Sequence, residues 1–334
     1  MIRAPAFWDR PPEAPGMLAR ALAPLGALTA AATARRVARA GQGLRIAGVR
    51  VICLGNLTVG GAGKTPATIA LAALLAARGR RVAIISRGHG GRLAGPVAVD
   101  PRRHTAADVG DEPLMLAGHA PVFVGRDRAA ALRLAAAAGA EAVLMDDGFQ
   151  NPAVAKDLSI LVVDAARGFG NGRCLPAGPL REPVAAGMAR ADLVLSVGGP
   201  EAQAALGARW GAALAGRARI AAHLATLPTG FDWEGARLFA FAGIARPERF
   251  FESLRALGAD LSGTVALPDH APLGAALMAR LGREAGAAGA RLVTTEKDAV
   301  RLPQALRPEV LVLPVRLCLE DPAPLEARLA ALGL

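Results

Sequence analysis

The chain has 334 residues and no tyrosine, and aromatics make up only 4% of it. A nucleic-acid surface built from rings interleaved with cations has little to work with here, and no such stripe is found. Cysteine occurs only at 53, 174 and 318. That set is too small and too scattered for a disulfide framework or a zinc site, and it fits a reducing cytosolic compartment. The five histidines are equally dispersed. Lysine is nearly absent: of 39 basic residues, only those at 64, 156 and 297 are lysine. In so arginine-rich a chain, a retained lysine points to a position needing a compact ammonium. Lys64 meets that description, and Lys297 is marked by the same argument.

What is present is apolar and basic. The hydrophobic fraction of 53% is ample for burial, the length exceeds one typical core, and two domains are expected. A net charge of +11 draws anionic partners: phosphates, nucleic acid or an anionic membrane.

Residues 55–66 organise the rest. They read Gly55-Asn56-Leu57-Thr58-Val59-Gly60-Gly61-Ala62-Gly63-Lys64-Thr65-Pro66. An apolar strand (49–54) precedes them and an alanine- and leucine-rich helix follows. Strand, glycine-rich loop, then helix opening on Gly-Lys-Thr is the phosphate-binding P-loop arrangement. Glycines let backbone N–H groups converge, and the helix N-terminus adds positive charge there. Thr58, Val59, Gly60, Gly61, Ala62, Gly63, Lys64 and Thr65 are therefore expected to hold a nucleotide. Lys64 reaches the β- and γ-phosphates, and Thr65 ligates Mg²⁺. Thr58 stands where the usual motif has glycine.

A second apolar strand, 142–146, ends on Asp146-Asp147, the Walker B arrangement that puts a carboxylate beside the P-loop metal. Which of the two serves the metal is open. Arg87 leaves the end of a strand at 82–86, where open α/β sheets place ligands, but a solvated loop charge reads equally well. Residues 168–183 form a long Gly/Pro loop, a length that is usually functional. Its Arg181 and Glu182 are candidates for phosphate and metal respectively. Asp111 and Glu112 begin a helix, where acidic residues are also ordinary caps.

The spacing predicts a helix over 17–40, with Leu18, Leu22, Leu25 and Leu28 on a background of small residues and Arg35, Arg36 and Arg39 near its end. Its uncharged part is too short to span a bilayer and contains Pro24. An apolar face with basic ends suits a helix lying in a membrane interface, with Phe7 and Trp8 nearby, or one packed on its own domain. Arg3, Arg10 and the apolar run imitate a cleavable signal, but a P-loop directly afterwards argues for a chain that meets ATP in the cytosol. The expected fold is a P-loop NTPase-like α/β/α sandwich, with a second, smaller α/β domain and an N-terminal interfacial helix. The boundaries expected are 1–40, 41–215 and 216–334. Residues 224–233 read as linker, 310–315 as one strand, and the last helix as docking back. His270 by itself reads as a structural histidine.

Taken together, the motifs resemble one family, the tetraacyldisaccharide 4′-kinases of lipid A biosynthesis. The likeness runs through the P-loop stretch, Ser86-Arg87-Gly88, Val109-Gly110-Asp111-Glu112-Pro113 and Asp146-Asp147-Gly148-Phe149-Gln150. It continues through 175–183, Phe241-Ala242-Gly243-Ile244, Asp269-His270 and Thr295-Glu296-Lys297-Asp298. His89 departs from it, standing where the family's Arg-Gly-Tyr has tyrosine. The resemblance implies ATP-dependent phosphorylation of the 4′-hydroxyl of a lipid A disaccharide 1-phosphate, giving lipid IVA, with Mg²⁺. It implies a monotopic enzyme, expected as a monomer, on the cytoplasmic face of the bacterial inner membrane, with no nucleic-acid partner. It also implies that Asp111 and His270 work as a catalytic pair, with Lys64. The competing readings are a soluble P-loop ATPase switch binding nucleic acid, and a non-catalytic membrane scaffold. The scaffold leaves Asp111, Asp146 and Asp147 unexplained.

Overall fold

The computed structural model describes residues 4–38 and 43–334. Among the described residues thirteen strands run in chain order: β1 Arg50–Gly55, β2 Val82–Ser86, β3 Val97–Ala98, β4 Val122–Val124, β5 Ala142–Asp146, β6 Leu158–Asp164, β7 Leu193–Val197, β8 Ala218–Thr226, β9 Arg237–Ala242, β10 Asp260–Ala266, β11 Arg291–Thr295, β12 Leu311–Leu313 and β13 Val315–Leu319. They form a nine-stranded sheet, β13-β8-β7-β6-β1-β5-β2-β4-β3, and a four-stranded sheet, β10-β9-β11-β12. The large sheet is parallel from β8 to β4, with antiparallel β13 and β3 at its edges. The small sheet is parallel throughout.

Both faces of each sheet are covered, so the central strands are continuous apolar runs. Along β1, Ile52 and Leu54 enter one core while Val51 and Cys53 enter the other. In β9, Leu238 and Ala240 alternate in the same way with Phe239 and Phe241. The P-loop strand β1 lies directly beside β5, with Leu54 opposite Asp146. That register is what brings the Lys64 loop and the aspartate pair together at the carboxyl ends of two central strands.

Residues beyond 215 do not all go to the small sheet. β8 and β13 belong to the large one, and Leu325 and Leu329 of the final helix, Ala323–Ala331, fill its core. β8 is rich in alanine and follows an alanine-rich helix, so its β-propensity is weak and the sequence hides it. The expected strand over 310–315 is two strands in different sheets. Pro314 separates them, because it has no N–H to give to a ladder. At this crossing Leu227 N donates to Pro314 O at 3.0 Å, so the two passages between lobes run side by side.

The expected helix over 17–40 is two helices, Met17–Ala21 and Ala23–Val37, with Pro24 in the first turn of the second. Arg3 and Arg39 fall outside the described residues. One face of the second helix packs on the 168–183 loop, where Thr33 Oγ1 donates to Arg181 O at 3.0 Å; ahead of the pair, Trp8 Nε1 donates to Pro176 O of the same loop at 3.1 Å. The other face leaves Met17, Leu18, Leu25 and Leu28 exposed, the last at 67%. Among the described residues no helix is long and apolar enough to cross a membrane.

Candidate active site

The helix Lys64–Ala77 starts from Gly63, whose φ of 87° is a left-handed conformation that a side chain disfavours. A Cβ there would also meet Val197 at 3.2 Å. Thr58 needs no such freedom. It forms an antiparallel bridge with Leu180, and Val59 N donates to Pro179 O at 2.8 Å. The loop therefore begins as extended backbone held by the 168–183 segment, which explains a threonine where glycine is usual. Asn56 Nδ2 braces the turn from below, donating to Thr58 O at 2.7 Å. Gly60 and Gly61 are exposed and Ala62 is buried.

Lys64 Nζ donates to Asn56 Oδ1 at 3.2 Å and lies 3.5 Å from Asp147 Oδ1. Arg181 Nη1 donates to the same Asp147 oxygen at 2.8 Å. Asp147 thus gathers two cations at the mouth of the loop, and it does so with a φ of 50°. Burial pushes its carboxyl up, but Lys64 and Arg181 outweigh that and hold it below the usual carboxylate range.

Asp146 points the other way. It is 1% exposed and accepts from Thr68 Oγ1 at 3.4 Å. Thr68 is one turn beyond Thr65, so Thr65 and Asp146 address the same helix face. Burial, with the Glu112 charge second, pushes the Asp146 carboxyl up. A divalent cation beside it would keep it ionised. Among the described residues no three His, Cys, Asp or Glu side chains form a metal cage. A cation here would use one carboxylate, a hydroxyl and phosphate oxygens, which suits Mg²⁺.

The second half of the site joins the lobes. Gly110 has a φ of 91°, and a Cβ there would meet His89 O at 2.5 Å, so glycine is needed to turn the chain into Asp111–Leu116. Asp111 then lies 2.6 Å from Nδ1 of His270, which comes from the small lobe at a φ of 60°. Arg301 Nε is 3.9 Å from the same carboxylate oxygen, and Lys297 Nζ is 3.2 Å from His270 Nε2. Burial raises the Asp111 carboxyl, and the His270 hydrogen bond with the Lys297 and Arg301 charges more than reverses it, leaving the value low.

The profile of the tetraacyldisaccharide-1-P 4′-kinase family matches residues 18–333. The chain is 60% identical to the tetraacyldisaccharide 4′-kinase of Dinoroseobacter shibae over 331 residues, covering 99% of this chain and 98% of that one. This chain belongs to the tetraacyldisaccharide 4′-kinase family. It is also 53% identical to the same-named protein of a Jannaschia species, covering 98% of each. The crystal structure of LpxK from Aquifex aeolicus, determined in complex with ATP, has a TM-score of 0.73 at 25% identity, covering 94% of this chain and 99% of that one.

Glu182, expected at the metal, is 3% exposed with both oxygens engaged: Oε1 accepts from Gln150 at 2.9 Å, and Oε2 pairs with Arg190. It braces the Walker B turn against the Gly/Pro loop. Arg87 is exposed at the end of β2. Reading the sequence missed Asn56, Gln150, Glu112, Arg190 and Arg301 as site residues. Gln150 and Glu112 sit inside quoted motifs and could have been flagged; Arg190 and Arg301 carry no local signal.

Proposed function

We infer that this chain is a kinase that transfers the γ-phosphoryl of ATP to the 4′-hydroxyl of a tetraacylated lipid A disaccharide 1-phosphate, giving lipid IVA. The observation that carries this reading is the 2.6 Å hydrogen bond between Asp111 of the large lobe and His270 of the small one. A site for an alcohol acceptor needs a base, and this pair supplies one that is whole only when the lobes meet.

The residues divide the work. Residues 58–65 cradle the triphosphate through backbone N–H groups and the helix N-terminus. Lys64 and Arg181, gathered by Asp147, neutralise charge on the transferring phosphoryl. Thr65 and Asp146 would hold Mg²⁺, which when bound spreads the charge of the phosphate oxygens. Asp111 accepts the hydroxyl proton as the sugar oxygen bonds to the γ-phosphorus and the bond from that phosphorus to the β–γ bridging oxygen breaks, releasing ADP. His270 orients it, and lobe closure keeps water from competing.

The substrate is acylated, so the enzyme works at a lipid surface. The exposed Met17, Leu18, Leu25 and Leu28 support a monotopic attachment in which this face lies in the interface, and Arg35 and Arg36 favour anionic headgroups. The bilayer concerned is the cytoplasmic leaflet of the inner membrane, where ATP is available. The test is labelled ATP with lipid disaccharide monophosphate in detergent. Label on the lipid is expected; phosphate release that ignores the lipid overturns the kinase reading.

A further inference from the structure

His270 is held at both ring nitrogens. Nδ1 lies 2.6 Å from Asp111 Oδ2, and Nε2 lies 3.2 Å from Lys297 Nζ. The second contact decides the protonation of the first. A lysine ammonium has donors and no acceptor. Lys297 Nζ also donates to Asp269 Oδ1 at 3.3 Å and lies 3.9 Å from Glu112 Oε1. Nε2 must therefore present its lone pair, and the single ring proton sits on Nδ1, facing Asp111.

We propose that Lys297 is a positioning residue that fixes the tautomer of His270, so that the imidazole donates to Asp111 and has no place to receive a proton from it. The inference rests on the reading of Asp111 as base and sharpens it. The hydroxyl proton stays on the Asp111 carboxyl during transfer and is not relayed to the histidine. Asp111 Oδ1 also accepts from Glu112 N at 2.9 Å, so each carboxylate oxygen is anchored by one donor.

The surroundings show why a cation is needed at 297. Asp269 Oδ1 stands 3.7 Å from Nε2 and would draw a proton to that nitrogen if left unopposed. The ring would then present either the wrong tautomer or an imidazolium between two carboxylates. Arg301, 3.9 Å from Asp111 Oδ2, is on the Asp111 side and cannot replace Lys297. Lys297 is carried by the short helix Glu296–Ala299, which Thr295 caps and whose buried Asp298 accepts from Gly243 N at 3.1 Å. The Gly243 carbonyl in turn accepts from His270 N at 3.2 Å. The lysine and the strained histidine backbone therefore share one support. The use of lysine here, in a chain that otherwise uses arginine, fits a compact point donor to a ring nitrogen.

The experiment is two-bond ¹H–¹⁵N NMR of the full-length protein in detergent, with the His270 signals assigned by their loss in His270→Asn. Wild type is expected to show a protonated Nδ1 and an unprotonated Nε2. In Lys297→Met a proton is expected on Nε2, with kcat lowered about 10- to 100-fold and KM for ATP little changed. Lys297→Arg keeps a donor and should retain the wild-type ring pattern. A wild-type spectrum with Nε2 protonated overturns the proposal without any variant. An unchanged ring pattern in Lys297→Met overturns it as well. Full turnover in Asp111→Ala would remove the reading of the base and leave the tautomer result standing, so the two failures are distinguishable.

Discussion

Asp147 and His270 occupy matching places in the two lobes. Each follows an aspartate, each has a left-handed backbone, with φ of 50° and 60°, and each sits between charged partners. Their partners differ in origin. Asp147 takes Lys64 and Arg181 from its own lobe, over a route set by the β1–β5 register. His270 takes its main partner, Asp111, from the other lobe. The phosphate end of the site is thus assembled at the carboxyl ends of neighbouring central strands, while the acceptor end depends on two independently cored bodies meeting. Strain of this kind persists where surrounding contacts over-determine it, and both residues have such contacts.

The comparison is broken most severely at Asp111. Asp111→Ala should lower kcat by about 10²–10⁴-fold while ATP binding, a property of the large lobe, changes little. Steady-state kinetics with varied ATP checks both, and an equal loss in nucleotide affinity would mean the two ends are not separable. A smaller effect is expected away from both. Leu25→Glu with Leu28→Glu should weaken partition onto anionic vesicles by about 100-fold, since each leucine contributes about 1.5 kcal/mol or more, with ATP binding untouched. Flotation assays read this directly.

Backbone strain gives a finer test. Asp147→Gly should unfold at higher denaturant than Asp147→Ala by about 1 kcal/mol, because both lose the carboxylate and only alanine keeps the left-handed penalty. The pair His270→Gly and His270→Ala should differ in the same sense. If only one pair differs, the two strained sites are not equivalent. The smallest effect is on pH. The Asp111 carboxyl is held low, so its contribution to stability is complete above the ordinary carboxylate value, about 3.9, and is lost as pH falls through the lowered one. Asp111→Asn should flatten that acid limb in denaturant midpoints measured from pH 5 downward, and leave neutral pH behaviour alone.

The same division governs what could be read from residues alone. The P-loop, the strand ending on Asp146-Asp147 and the layered sheet follow from local periodicity and short motifs, and they stand where the sequence puts them. The Asp111–His270 contact came only through resemblance, since 159 residues separate the partners and neither has a distinctive neighbourhood by itself. For Glu182 the charge is visible in the sequence, and its partners, Gln150 and Arg190, are not. β8 was missed because alanine is a strong helix former and a weak strand former, so an alanine-rich strand just after an alanine-rich helix reads as its continuation. Lys297 was noticed through scarcity, and only its 3.2 Å approach to His270 gives that scarcity a chemical meaning.

The adjoining passages at Leu227 and Pro314 have a consequence of their own. The chain departs from the nine-stranded sheet and rejoins it at a single point, where β8 and β13 pair antiparallel up to Thr226 and Val315. The small lobe is therefore an insert on a two-legged stalk. A variant in which a few residues replace 228–313 would keep every ladder of the large sheet, and with it the P-loop, Asp146 and Asp147. It would give up His270, Lys297 and Arg301 together and leave Asp111 without its partner.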